Sequence, residues 1–361
     1  MLPTNPKELA HRMAMWILLV LICSVSIKIM LIFDFNKRSY NHIPGHCKFM
    51  EDMDNGAPAM QLLENTGEVF IVSGKRKETK GRIYVYQSKE ENPGTKPQEL
   101  LIQGKDFDAK NFHPSAISLY ESKGRVILYV INQNCVEVLI YNRDKSLLIH
   151  RKSICESSFV SLTDIAVVGP DKFFVSRESW FDDGWLQTVE LLLFNSFGCL
   201  YYFNGHHASL IQSGLQSPSA MTVDSKRNLL YIASMMSENI KMYSLDKDLS
   251  LTYRTEIALL SSPSGLYVES SSGDLWASLH PVLHQYWTYN RAMEEKKVSP
   301  SQVLRVRIQK DQLSWVITEP YSNDGATLSA SSSVVFSANR LLIGGQDARL
   351  LICDVINPQI T

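Results

Sequence analysis

Few side chains in this chain of 361 residues stand in patterns that could do chemistry. His113 and Ser115 lie two residues apart in FHPS, so on a strand they would share a face and could act as base and nucleophile. Pro114 separates them, and neither an oxyanion hole nor a third partner can be read, which makes the pair a weak hydrolase candidate. His206 and His207 could ligate a metal, although adjacent imidazoles in a polar loop more commonly face solvent. Six cysteines stand at 23, 47, 135, 155, 199 and 353. None has the CxxC or Cys/His spacing of a zinc site. Cys135 and Cys155 flank VEVLIYNRDKSLLIHRKSI, and their midpoint, Lys145, falls in the polar turn Asn142–Ser146. A hairpin closing there would set the two sulfurs opposite each other, and a slip of one residue would part them.

The elements that would position these groups are short β-branched and aromatic runs. One phrase recurs: an apolar strand, a turn with Gly, Asn or Asp, and a second apolar strand. It occurs at Gln61–Gly74, Ala116–Asn132, Asp164–Glu178, Ala220–Ser234, Gly265–Leu279 and Ser332–Gln346. Successive starts are 45 to 67 residues apart, a propeller-like period. Outer strands are expected between these hairpins, at Arg82–Gln87, Val136–Tyr141, Asn239–Leu245 and Gln302–Arg307. A hairpin cannot bury both of its faces alone, whereas six four-stranded blades around an axis can. The fold expected is therefore all-β, a six-bladed propeller behind one N-terminal transmembrane helix; a β-sandwich is the alternative. Cys47 would start the first blade and Cys353 would end the last strand, so a bridge between them would close the ring.

The helix is read from Met13 to Phe33, MAMWILLVLICSVSIKIMLIF, with Lys28 its only charge. At about 1.5 Å per residue it reaches roughly 30 Å, the thickness of a bilayer core. A cleaved signal peptide is the rival, with Ser24-Val25-Ser26 as the small-residue site. The apolar run resumes after Lys28, which favours an uncleaved anchor. Lys7 and Arg12 before the run balance Lys37 and Arg38 after it, so charge leaves orientation open. Disulfides need an oxidising compartment, which would place the propeller in the lumen or outside and the N-terminus in the cytosol. The net charge is −1, and no basic stripe points to nucleic acid.

Cys47–Gly74, Phe112–Tyr120 (FHPSAISLY), Leu162–Phe174, Gly273–Pro281 (GDLWASLHP) and Leu341–Val355 together resemble the paraoxonase/arylesterase family in order and spacing. The resemblance implies a six-bladed propeller, a retained N-terminal hydrophobic segment, a Cys47–Cys353 bridge, and hydrolysis of lactones and aryl esters with calcium in the central tunnel. This chain departs at the positions that carry that chemistry. Pro58 and Ala59 stand where the family has Glu-Asp, and Thr163-Asp164 where it has Asn-Asp. Ser219 replaces an Asn, and Ser264-Gly265 an Asp-Asn pair. Ser115 and Gln133 replace the two proton-transferring histidines. Leu279 replaces a free cysteine ahead of the surviving His280-Pro281. Calcium requires six to eight oxygens rich in carboxylate, and only Asp164 among these positions brings one. Asp164 is a remnant ligand or, as we prefer, a strand-end carboxylate accepting from backbone amides. No catalytic group and no cofactor are expected, and calcium binding is expected to be lost.

Ser179–Leu186 (SWFDDGWL) and Val189–Phe197 (VELLLFNSF) form an aromatic and apolar stretch. Trp180, Phe181, Trp185, Leu192 and Phe194 are read either as an interaction surface or as part of a buried strand. The expected organisation is residues 1–12 cytosolic, 13–33 anchor, 34–46 juxtamembrane linker, 47–355 propeller and 356–361 tail. The anchored, substituted propeller is similar to the membrane-anchored paraoxonase-like proteins of invertebrates that assist degenerin/epithelial-sodium-type channels. That likeness implies a chaperone or accessory subunit for a multi-pass channel in the endoplasmic reticulum membrane, with the plasma membrane as a second location. The alternative is a lactonase or arylesterase with a divergent or metal-free site.

Overall fold

The structure is a computed structural model that describes residues 6–53, 55–74, 80–90, 94, 96–181, 184–192, 197–246, 248–291, 297–346 and 349–357. Helix α1 (Pro6–Ile32) leads to a short strand, β1 (Cys47–Phe49). The first repeat supplies β2 (Ala59–Leu63), β3 (Glu68–Ser73), β4 (Arg82–Gln87) and β5 (Gln98–Gln103). The second supplies β6 (Pro114–Ser122), β7 (Arg125–Asn132), β8 (Cys135–Asn142) and β9 (Leu147–Cys155). The third is β10 (Leu162–Gly169), β11 (Lys172–Arg177), helix α2 (Gly184–Leu192), β12 (Gly198–Phe203) and β13 (Ala208–Leu215). The fourth is β14 (Pro218–Asp224), β15 (Leu229–Ser234), β16 (Asn239–Leu245) and β17 (Leu251–Ala258). The fifth is β18 (Ser262–Val268), β19 (Leu275–His280), helix α3 (Leu283–Arg291), β20 (Ser301–Ile308) and β21 (Trp315–Asn323). The sixth is β22 (Ser331–Ser337), β23 (Arg340–Gly345) and β24 (Leu351–Asp354).

The molecule is an all-β propeller with one N-terminal apolar helix. The innermost strands β2, β6, β10, β14, β18 and β22 each touch the next, and β22 touches β2, closing a ring. Second strands such as β3, β15 and β19 are buried along their whole length. They are mostly apolar because sheets pack on both of their faces. Outer strands such as β5 and β17 are mostly exposed. Aromatic rings pack within and between sheets: Phe173 stacks on its cross-strand partner Phe203 at 5.0 Å, and Trp276 of β19 on Phe336 of β22 at 4.5 Å. Ala338-Asn339 and Lys123-Gly124 turn their hairpins with two consecutive positive φ values, as two-residue hairpin loops require.

Three expectations need correction. The hydrogen-bonded sheets are not six separate blades. Four sheets of four strands stand alone, while β2–β5 and β6–β9 join into one eight-stranded sheet. They join because β5 pairs in parallel with β9 through Leu101–Gln103 and Leu147–Ile149, so two outer edges satisfy each other. Second, α1 starts at Pro6, a residue suited to a first helical turn, and takes in half of the expected cytosolic segment. It stops at Ile32, and Phe33 is buried against Trp287 at 5.7 Å rather than lying in the span. Third, Gly184–Leu192 is helical, so the buried-strand reading of that stretch fails. Trp180 and Trp185 are 59% and 72% exposed.

Residues 34–46 lie along the propeller rather than bridging to it loosely. Asp34 accepts from the Leu283 amide at 3.3 Å, and the His284 amide donates to the Phe33 carbonyl at 3.0 Å, so the end of the anchor caps α3. Lys37 bonds Asp34 at 2.6 Å, Glu238 at 2.9 Å and the Leu260 carbonyl at 2.8 Å. His42 pairs with Ser322 as a β-bridge on the edge of β21. The segment then enters β1, whose Cys47 is bonded to Cys353 of β24 with Cα atoms 4.0 Å apart.

Both predicted disulfides are present. Cys135 faces Cys155 across β8 and β9 with Cα atoms 4.4 Å apart. The chain-entropy model assigns about 5–6 kcal/mol to the ring-closing bridge and about 3 kcal/mol to the hairpin bridge. A Cys47→Ala/Cys353→Ala variant is therefore expected to lower the urea midpoint more than Cys135→Ala/Cys155→Ala, read by tryptophan fluorescence of the full chain in micelles.

Candidate functional site at the propeller axis

The inner strands converge so that their first residues face the axis. Pro58, Ala59, Ser115, Thr163, Asp164, Ser219, Ser264 and Gly265 line one cavity of about 50 Å³, together with Gln61, Met221, Ser332 and Ser333. That is room for one or two waters. A wider cavity of about 340 Å³ continues along the axis toward the β2–β3 and β14–β15 turns and shares Gln61 and Met221 with the first. Of the positions singled out from the sequence, Gln133 does not reach the axis. It turns the β7–β8 hairpin with φ 57° and donates to the Asn111 carbonyl at 3.2 Å. Sequence reasoning missed Gln61, Met221, Ser332 and Ser333. The run Ser331-Ser332-Ser333 at the head of the sixth repeat was the available signal.

Asp164 is the carboxylate of the inner cavity, and both of its oxygens are engaged. Oδ1 accepts from the Ile165 amide at 2.8 Å and Oδ2 from the Met221 amide at 2.6 Å. It lines the cavity, and burial there pushes its pKa up to about 7 against the pull of the two amides. The hydroxyls around it donate to backbone carbonyls. Thr163 donates to Pro218 at 2.8 Å, Ser219 to Pro263 at 2.7 Å and Ser333 to Ala57 at 2.6 Å.

The calcium implied by the family resemblance does not fit these residues. One carboxylate already holding two amides, surrounded by hydroxyls, supplies too little charge to offset dehydration of a divalent cation. At Gly265, where the resemblance implies an Asn, the Ser332 carbonyl oxygen fills the place of a Cβ, and the Ser278 hydroxyl is 2.7 Å from it. No side-chain ligand can stand there unless the sixth repeat moves away.

The other candidates are not brought into a catalytic arrangement. Ser115 faces the cavity, whereas the His113 Nδ1 atom is buried without a hydrogen-bond partner among the described residues. His206 and His207 lie in an exposed turn, their amides bonded to Asn204 Oδ1 at 2.9 and 3.1 Å. His280 is fully buried, stacked on Tyr286 at 3.6 Å, and neither ring nitrogen has a partner among the described residues. Burial drives its pKa down to about 3, so it stays neutral. Trp180, Phe181 and Trp185 are exposed near α2; the Leu192 side chain and Phe194 lie outside the described residues. Since α2 and α3 both link a second strand to a third, they emerge from the same face, the one where the anchor ends.

The two shifted groups act in opposite directions on stability. The folded pKa of Asp164 lies above its ordinary 3.8, so its contribution is present in acid and lost as pH rises from about 4 to about 7. The folded pKa of His280 lies below its ordinary 6.5, so its contribution is present above that value and lost as pH falls toward about 3. Each is worth at most about 5 kcal/mol across its window. Asp164→Asn is expected to flatten the fall of the melting temperature between about pH 4 and about 7, and His280→Phe the fall below about pH 6, each measured as the difference from the unsubstituted chain.

Comparison with known proteins gives this arrangement a lineage. A family profile described as arylesterase matches residues 21–355. Mechanosensory abnormality protein 6 of Caenorhabditis elegans is 40% identical over 97% of both chains. Human serum paraoxonase/lactonase 3 and rat serum paraoxonase/arylesterase 2 are 26% and 25% identical over 86% of this chain and 89% of theirs. Among solved structures, a luciferin-regenerating enzyme superposes with a TM-score of 0.54 at 11% identity, over 87% of this chain and 96% of that one. Regucalcin from Agrobacterium tumefaciens does so with 0.53 at 10%, over 88% and 96%. These two share the fold. The profile match over most of the chain and the full-length relative show that the chain belongs to the arylesterase (paraoxonase) family.

Proposed function

We propose that the protein is a non-catalytic, membrane-anchored paraoxonase-like protein that acts as chaperone or accessory subunit for a degenerin/epithelial-sodium-type channel. The observation that carries this reading is the 40% identity, over 97% of both chains, to a protein named for a mechanosensory abnormality. The serum paraoxonases stand at 25–26%. The axis supports it: its carboxylate and hydroxyls are occupied with backbone partners, so we take the protein to work without calcium and without ester hydrolysis. We count the propeller as six-bladed, with the eight-stranded sheet as two blades fused through β5 and β9.

In this reading α1 spans the bilayer. It has a mean hydropathy of 2.4 over its most apolar window and no part of that window is buried in the protein. The two disulfides require an oxidising side, so the propeller is luminal or extracellular and the first residues are cytosolic. The endoplasmic reticulum membrane is the working site, where a client channel is assembled before delivery to the surface. The bonds of Asp34 and Lys37 hold the α2–α3 face at the bilayer. There Trp180, Phe181 and Trp185 would meet the membrane-proximal part of the client.

Co-expression of the full chain with a degenerin channel is expected to raise surface channel in a biotinylation assay, and the two should co-purify from mild detergent. Trp180→Ala/Trp185→Ala is expected to lower co-purification by about tenfold, as loss of one or two hot-spot aromatics does, with no change in melting temperature. Turnover of phenyl acetate by the purified full chain, abolished by a calcium chelator, would overturn the reading in favour of an enzyme.

A further inference from the structure

We infer that Thr163, Asp164, Ser219, Ser331 and Ser333 form a latch that holds neighbouring repeats together at the axis without a cation. The basis is where their bonds go: each crosses from one repeat to the next. Thr163 Oγ1 donates from β10 to the Pro218 carbonyl of β14 at 2.8 Å, and Asp164 Oδ2 accepts from the Met221 amide of β14 at 2.6 Å. Ser219 Oγ donates from β14 to the Pro263 carbonyl of β18 at 2.7 Å. Ser331 Oγ donates from β22 back to the Leu279 carbonyl of β19 at 3.0 Å. Ser333 Oγ donates from β22 to the Ala57 carbonyl at 2.6 Å, which ties the last repeat to the residues leading into the first. Between the second and third repeats, Ser118 of β6 accepts from the Val167 amide of β10 at 3.1 Å.

At the junction between the first and second repeats the bond beside the axial cavity runs between two side chains, Asn65 Nδ2 donating to Glu121 Oε2 of β6 at 2.9 Å. This is also the junction where the outer strands β5 and β9 pair directly. Glu68 of β3 there accepts from Arg143 Nε at 3.1 Å and from the Tyr141 hydroxyl at 3.2 Å. Each of the six junctions thus carries a bond near the axis, and the first is fastened at the rim as well.

The network around Thr163 is arranged for this use. Ser176 Oγ lies 2.7 Å from Thr163 Oγ1. If the Ser176 proton points to Thr163, the Thr163 proton is free for Pro218, and both hydroxyls are satisfied. The innermost strand of a sheet has an edge with no further strand to pair with, so its buried carbonyls need donors. In a metal-centred propeller a cation draws the strands to the axis; here hydroxyls from the adjoining repeat do. Gly265 belongs to the same design, since its missing Cβ admits the Ser332 carbonyl. The latch does not depend on which client the protein serves.

The test is the melting temperature of the full chain in detergent micelles, with calcium and with a chelator. Thr163→Val, Ser219→Ala and Ser333→Ala are each expected to lower it by roughly 2–4 °C, and the triple variant by roughly 5–10 °C. Thr163→Ser and Ser219→Thr, which keep the hydroxyl, are expected to stay within about 1 °C. Calcium and chelator are expected to leave the unsubstituted chain unmoved. A rise with calcium or a fall with chelator would overturn the inference, as would single variants that melt with the unsubstituted chain. If the triple variant does not fold, the singles and the hydroxyl-keeping pair still decide.

Discussion

Closing the ring is the constraint on which the rest of this molecule depends. A propeller is a chain of sheets whose first and last members must meet, and nothing in the local strand pairing brings them together. Here β1 adds itself to β24 in register, Cys47 opposite Cys353, so the N-terminal strand completes the last sheet and a covalent bond holds it. With the ring closed, each innermost strand has a neighbour on either side, and the axis narrows where the first residues of those strands meet. The small size of the axial cavity, the commitment of each carbonyl and the neutral state of His280 all follow from that closure.

The axis shows how a site can change occupation while the fold persists. The family is defined over residues 21–355, so the propeller scaffold is common ground. Its converging strand ends must be held together by something. A divalent cation can do this only with several carboxylates, which themselves repel one another without it. Hydroxyls make a different solution available, because each can donate to a carbonyl of the next repeat while adding no net charge. The single carboxylate retained, Asp164, is tolerated because two amides converge on it. On the proposed reading, the hydroxyls that stand at the axis supply a fastening where a cation would otherwise be needed.

Rigidity extends to the join between α1 and the propeller. The end of α1 caps α3, Phe35 stacks on His284 at 4.4 Å, and Lys37 ties Asp34 to Glu238 in a different repeat. An anchor attached through a loose tether would let the propeller tumble over the bilayer. One fastened through buried contacts presents the same face to the same neighbours. For a protein whose proposed work is to meet another membrane protein, that fixed presentation lowers the entropy lost on contact.

The six repeated phrases, the apolar run at the N-terminus and the paired cysteines were legible in the sequence because each rests on local periodicity or on a hairpin's arithmetic. That Pro58, Ala59, Ser115, Ser219, Ser264 and Gly265 bring no carboxylate and no imidazole was legible too, since residue type alone decides whether a charge is present. What those positions do instead was not, because the Ser219 hydroxyl bonds a carbonyl 44 residues away in sequence and Ser333 one 276 residues away. The merging of two repeats through β5 and β9 was equally hidden: parallel pairing of outer edges depends on how adjacent sheets splay, not on either strand's own pattern. The stretch around Trp185 could have been strand or helix, since a short apolar run fits both. Chain order and side-chain type determined the ring, the anchor and the loss of charge at the axis. Only the packing of one repeat against the next decided which oxygens meet there, because those bonds exist between residues that no local pattern brings together.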